Sequence, residues 1–127
     1  MGQITTTREI DIDLTTVFAE GKIEVKDLLK WMKEYYEGTV TELILWDLTR
    51  ADVSPVRDSG FAELVEALKA RGEVRAWGKT ALVFADESGY KTGKDFVELS
   101  ESRDIEFETR AFRDMNKARL WLGLEKK

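Results

Sequence analysis

The sequence predicts an α/β fold: a mixed, largely parallel five-stranded sheet flanked by about four helices, in the order ββαβαβαβα. Three observations carry that reading. Leu43 to Leu48 and Thr80 to Ala85 are nearly continuous apolar runs bounded by polar residues, the pattern of strands covered on both faces. The segments between and after them repeat their apolar residues at three- and four-residue steps, the period of an amphipathic helix. Strands and helices then alternate, as right-handed crossovers between parallel strands require.

From Ile4 to Ala19 apolar and polar residues alternate, with Ile10, Ile12, Leu14, Thr16 and Phe18 on one side. The run is long for one strand, so a break near Asp11 to Asp13 predicts two strands in an antiparallel hairpin, although no Gly marks the turn. Gly21 ends the second strand. Val25, Leu28, Leu29, Met32, Tyr35 and Tyr36 then form a helical stripe closed by Gly38. Leu43 to Leu48 is the candidate central strand, and Thr49 to Ser54 is read as a loop. Pro55 suits a first helical turn, with Ser54 or Asp58 as N-cap, and Phe61, Leu64, Val65 and Leu68 make a stripe ending at Gly72. Thr80 to Ala85 is the next strand, Asp86 to Gly89 a polar loop, and Phe96 and Leu99 belong to the helix after it. Ile105 to Phe112 alternates as a strand. Asp114 caps a last short helix holding Met115, Ala118, Trp121 and Leu122 before Gly123.

Composition limits the chemistry. The 127 residues, 43% hydrophobic and 35% charged with one Pro, suit a single domain over 1–127 with a substantial core. Absence of His and Cys removes Ser-His-Asp triads, thiol nucleophiles, His bases and imidazole or thiolate metal sites. Catalysis would fall to carboxylates, Lys, Tyr, Ser or Thr, so the expectation is a protein that is not an enzyme and needs no cofactor. No stretch approaches the roughly 20 apolar residues of a membrane span, and Met1 to Arg8 has no apolar export core. A cytoplasmic protein without membrane insertion is expected. A net charge of −5 with dispersed basic residues argues against nucleic-acid binding.

Several segments together resemble a known family: Leu45-Trp46-Asp47-Leu48-Thr49, the Ala51-Asp52-Val53-Ser54 loop, Lys79-Thr80-Ala81-Leu82-Val83, and Arg110-Ala111-Phe112-Arg113-Asp114 with Ala118 and Trp121-Leu122. Over Gly21 to Gly123 the chain resembles the SpoIIAA-like group of STAS domains, small bacterial and archaeal proteins related to anti-sigma factor antagonists. The resemblance rests mostly on packing positions. It implies a mixed sheet flanked by helices and a group whose members mostly lack an assigned biochemical role, and fold does not transfer function. Antagonists carry an Asp-Ser-Ser-Gly type motif at a helix start, where a partner kinase modifies the Ser. Asp58-Ser59-Gly60-Phe61 is similar but one residue short, and the loop from Asp47 is longer.

Ser54, Asp58 and Ser59 form a candidate phosphosite or partner surface, because phosphate near a helix start meets free N–H groups and the helix dipole; the alternative is a solvated helical Ser. Asp47 and Asp86 each come directly after a buried strand, so a parallel sheet would bring both to its carboxyl edge, where α/β folds place ligands. Tyr90 and Lys94 extend that candidate ligand edge. The alternative for both carboxylates is loop capping. Ser88 to Asp95 sits where a phosphate loop would, but Ser88 replaces the first Gly and Asp95 the metal-touching Ser or Thr. Trp31, Tyr35, Tyr36, Trp46, Trp77 and Trp121 are candidates for the core, an apolar ligand pocket or a subunit interface.

The leading expectation is a non-catalytic regulatory or interaction module that presents Ser54 to Phe61 to a protein partner or to its own copy, as a homodimer. The alternative is a small-molecule or lipid binder with an apolar pocket at the carboxyl edge, lined by aromatic residues and bordered by Asp47 and Asp86.

Overall fold

The computed structural model describes residues 2–59, 61–71, 75, 78–105 and 107–124. Within them Asp13 turns the chain first. It adopts the left-handed conformation (φ 52°, ψ 46°) that a short polar side chain tolerates, which is why no Gly is needed there. Its N–H donates to Ile10 O (3.2 Å), closing a 3-10 turn over Ile10–Ile12. Strands β1 (Gln3–Glu9) and β2 (Leu14–Lys22) are thereby paired antiparallel from Glu9↔Leu14 to Gln3↔Glu20. The alternation of this segment belongs to the other set of residues from the one expected. Thr15, Val17 and Ala19 are buried against helices, whereas Ile10 and Ile12 lie exposed in the turn and Phe18 is 47% exposed. Leu14 alone of the expected set is fully covered.

Glu24 and Asp27 form a reciprocal capping box that starts α1 (Val25–Glu37), and Gly38 ends it. Strand β3 (Leu43–Asp52) is the centre of the sheet, parallel to β2 and to β4 (Lys79–Phe84). It extends four residues beyond Leu48, through much of what the sequence suggests is loop. After an irregularity between Phe18 and Glu20, β2 continues to Lys22, past Gly21, and offers Glu20, Gly21 and Lys22 as partners for Arg50, Ala51 and Asp52. The expected single helix after Pro55 is two: α2 (Ser54–Ser59) and α3 (Ala62–Arg71). Ser59, which ends α2, and the Gly60 that follows it in sequence are two poor helix formers; Gly60, like Gly72 at the expected helix end, lies outside the described residues. Asp86 caps α4 (Glu87–Ser102) by accepting from Gly89 N at 2.8 Å, and the helix takes in all of Ser88 to Asp95, so that segment forms no phosphate loop. Strand β5 (Glu108–Phe112) is shorter than its alternating pattern, and Asp114 caps α5 (Met115–Trp121).

Strand order is β1-β2-β3-β4-β5, with β2 to β5 parallel. Each crossover steps to the next strand in one direction, and with one handedness throughout the connecting helices fall on the same side. Helices α1 to α4 accordingly cover the face made by Val17, Ile44, Trp46, Leu48, Leu82, Phe84 and Ala111. On the opposite face α5 packs over Leu14, Leu45, Ala81 and Val83. Leu43–Leu48 and Lys79–Phe84 pair residue by residue in the middle, as their apolar runs require. Among the described residues, no helix is long and apolar enough to cross a membrane.

Candidate functional site

The side of the sheet under α1 to α4 is not completely filled. A cavity of about 120 Å³, partly open to solvent, lies between the strands and these helices. Its floor is Ile44, Trp46, Leu48, Leu82 and Phe84, which alternation places on one face of β3 and β4. Its roof comes from Leu28, Trp31, Met32 and Tyr36 on α1, Leu64 and Leu68 on α3, and Phe96 on α4. Aromatic packing holds these walls. Trp31 stacks on Tyr35 (4.8 Å, 10°) and meets Trp46 edge-on (4.8 Å, 63°), while Phe61 meets Phe96 edge-on. The indole N–H of Trp31 donates to Thr6 Oγ1 at 2.8 Å, which ties α1 to the edge strand and fixes the ring. Gly93 lets α4 approach closely, because a Cβ there would collide with the Phe84 ring.

One end of the cavity differs from the rest. Near the amino-terminal ends of β4 and β5 it is bounded by Tyr36, Arg75, Thr80, Phe107 and Thr109. Arg75 is 3% exposed. Its Nε donates to Thr41 O (2.9 Å), Nη1 to Thr80 Oγ1 (2.9 Å), and Nη2 to Glu42 O (2.7 Å) and Lys79 O (3.0 Å). Its guanidinium lies 4.5 Å from the centroid of the Phe107 ring. Among the described residues its hydrogen-bond acceptors are neutral and no carboxylate is ion-paired with it. Burial raises the Tyr36 hydroxyl above the usual tyrosine pKa, and the charge and hydrogen-bonding of Arg75 pull the other way. Behind them a polar knot locks the strand entries. Thr41 N donates to Tyr35 Oη (2.8 Å), and Thr41 Oγ1 meets Thr15 Oγ1 at 2.7 Å.

The sequence-derived candidates are dispersed around this cavity. Asp47 points to the opposite face from Trp46 and Leu48, as the two-residue period requires, and accepts from Thr49 N (3.1 Å) and Thr49 Oγ1 (2.6 Å). It lines a separate groove with Phe18, Glu20 and Arg50. Asp86 is occupied as the α4 cap. Neither lines the cavity, and the cavity lies under the helices rather than only at the carboxyl edge. Tyr90 and Lys94 sit together, Lys94 Nζ 5.4 Å from the Tyr90 ring centroid, in a wider polar groove of about 680 Å³ between α4 and the edge strand β5. Ser54 opens α2 with its N–H on Asp52 Oδ1 (3.0 Å), and Asp58 pairs with its neighbour Arg57 (3.2 Å). Ser59 is exposed at the end of α2, three residues before α3 begins. Among the described residues, no group of three or more acidic side chains is arranged to hold a metal ion.

Of the six aromatic candidates, Trp31, Tyr36 and Trp46 line the cavity and Tyr35 packs behind them. Trp121 belongs to the other face beside Phe112, and Trp77 lies outside the described residues. Arg75 is the residue that sequence reasoning missed. It stands in the polar stretch Arg71 to Lys79, where nothing marks one cation as buried and the others as solvated. Neither the protein-family models nor the curated proteins contain a match to this chain.

Proposed function

We propose that this chain is a non-catalytic binding module of SpoIIAA-like, STAS-like kind that takes a small apolar molecule between its sheet and helices. The observation that carries the reading is the cavity. Interiors normally pack with few voids larger than a water molecule, and a dry apolar void of roughly 150 Å³ in another protein suffices for benzene. A space of about 120 Å³ beside two tryptophans is of that class. A parallel sheet with an antiparallel first strand is compatible with the family resemblance.

The test is titration with toluene, monitored by indole fluorescence and by melting. Binding is expected to perturb emission from Trp31 and Trp46 and to raise the melting temperature. Saturation at a hundred times Kd stabilises by about 2.7 kcal/mol. Leu82→Phe, which fills the floor, should abolish both effects while the protein stays folded, at a packing cost of about 1–3 kcal/mol. Unchanged fluorescence and melting in the parent protein would discard the reading.

A second reading, presentation of the Ser54–Phe61 region to a protein partner, is favoured by the joint exposure of Arg57, Asp58 and Ser59 at the end of α2. A Ser59→Asp variant that leaves every captured interaction unchanged would count against it.

A further inference from the structure

We infer that the cavity selects an anion: a compact apolar acid whose hydrocarbon body lies among Trp31, Trp46 and Leu82 and whose carboxylate meets Arg75 and Tyr36. This rests on reading the cavity as a ligand site, and it adds the charge class of the ligand.

The guanidinium of Arg75 has five N–H groups. Four hydrogen bonds from it run to three backbone carbonyls and the Thr80 hydroxyl. Those bonds staple the loop before β3 to the start of β4, and a purely structural role would end there. Stapling, however, satisfies directions and leaves the charge. Among the described residues the partners of this cation are neutral dipoles, and a cation removed from water carries a desolvation penalty of several kcal/mol. Proteins usually offset that with a buried carboxylate, and among the described residues none is ion-paired with Arg75. Nη1 makes one of these bonds, to Thr80, and the influence of Arg75 on the Tyr36 hydroxyl places the phenol beside the guanidinium.

The position of that charge decides the ligand class. Arg75 bounds the cavity next to Tyr36, whose hydroxyl the buried environment keeps neutral and able to donate. An incoming carboxylate would accept from the guanidinium and the phenol together, each a charge-assisted hydrogen bond stronger than a neutral one. The cost of burying the arginine is already met in folding, so only the carboxylate is newly desolvated. Size sets the other limit. About 120 Å³ is the room that a single ring or a short branched chain fills.

Four probes of nearly one shape test this: toluene, benzyl alcohol, benzoate and benzylamine, titrated against the full chain by indole fluorescence. The expected order places benzoate about tenfold or more tighter than benzyl alcohol, with benzylamine weakest. Adding about 0.5 M salt should leave that preference nearly intact, because a buried pair is screened much less than surface charges. Tyr36→Phe should weaken benzoate by about three- to tenfold and leave toluene unchanged. Arg75→Met should erase the preference for benzoate. Should that variant not fold, the parent's ranking and Tyr36→Phe still decide. Toluene binding with benzoate no tighter than benzyl alcohol would overturn the anion assignment and leave the cavity as an apolar site. Failure of all four probes would overturn both.

Discussion

The two faces of the sheet are built from the same strands and protected to very different degrees. Under α1 to α4, floor residues such as Trp46, Leu82 and Phe84 are buried across most of the sheet's width. On the other side one seven-residue helix shields Leu45, Ala81 and Val83, while Phe18 remains nearly half exposed and Thr5, Thr7 and Glu20 face solvent. The difference comes from topology. A sequential strand order sends every crossover helix to one side, so cover for the far side must come from the chain beyond the last strand. The crowded side also holds the apolar cavity, where α1, α3 and α4 meet the strands.

Paired truncations on the thinly covered face break this comparison most directly. Leu45→Ala removes a side chain 2% exposed beneath α5 and is expected to cost about 2–5 kcal/mol. Phe18→Ala removes a larger side chain from the same face at a cost of about 1 kcal/mol or less, because half of it never leaves water. Urea denaturation of both variants checks this. Equal losses would mean that the uncovered strip is buried against something in solution.

The covered face is sharpened by adding atoms. Gly93→Ala gains helix propensity of about 1 kcal/mol at an interior position of α4. The new methyl group meets the Phe84 ring, and the resulting strain is expected to turn the change into a net loss of about 1–3 kcal/mol. A melting temperature equal to or above that of the parent would show that Phe84 has room to retreat into the cavity.

Asp114→Ala tests how much the far face owes to its single helix. The Asp114 carboxylate accepts from Asn116 N (2.8 Å) and Lys117 N (3.4 Å), and losing a cap costs about 0.5–2 kcal/mol. Because α5, together with Leu122 and Leu124 after it, covers Leu14, Leu45, Ala81 and Val83, fraying should appear as faster amide exchange along β4. Exchange confined to α5 itself would show that the strands hold their protection without it.

Periodicity makes most of the fold legible in the sequence. The apolar runs locate β3 and β4, three- and four-residue spacing locates the helices, and Asp114 announces its cap. The features that escape depend on partners. Phe18 alternates like a core residue, but nothing local says that its face lacks a lid. The extension of β3 to Asp52 arises because β2 lies alongside, a fact about pairing rather than about Thr49 to Asp52. The site is less legible than the fold. Strand ends nominate Asp47 and Asp86, and their local sequences explain why each satisfies itself instead: Thr49 and Gly89 supply donors two and three residues on. Tyr36 is visible as one member of a stripe. Arg75 cannot be singled out, because burial of a cation is set by four carbonyl and hydroxyl oxygens brought together from residues 41, 42, 79 and 80.

The smallest effects concern pH, and they separate the covered side of the molecule from its exposed margin. Tyr36 has its folded pKa raised, first by burial, with Arg75 opposing. An unfolded tyrosine loses its proton near pH 10. Above that value the unfolded chain holds fewer protons than the folded one, so stability falls with rising pH. The contribution is therefore complete below about pH 10 and is lost as pH climbs through the folded value. Tyr36→Phe should flatten that alkaline decline. At the exposed margin Asp52 runs the other way. The Ser54 backbone N–H, and after it the Ser54 side chain, stabilises its carboxylate and lowers its pKa. That stability is present above the ordinary carboxylate value near 4 and disappears as pH falls through the lowered one. Asp52→Asn should flatten the acid limb slightly, and less than Tyr36→Phe flattens the alkaline limb, because solvent screens an exposed carboxylate. Denaturant midpoints across both limbs measure this. A steeper acid effect than alkaline effect would mean that Tyr36 is reached by water, and the polar end of the cavity would then have to be redrawn as part of the surface.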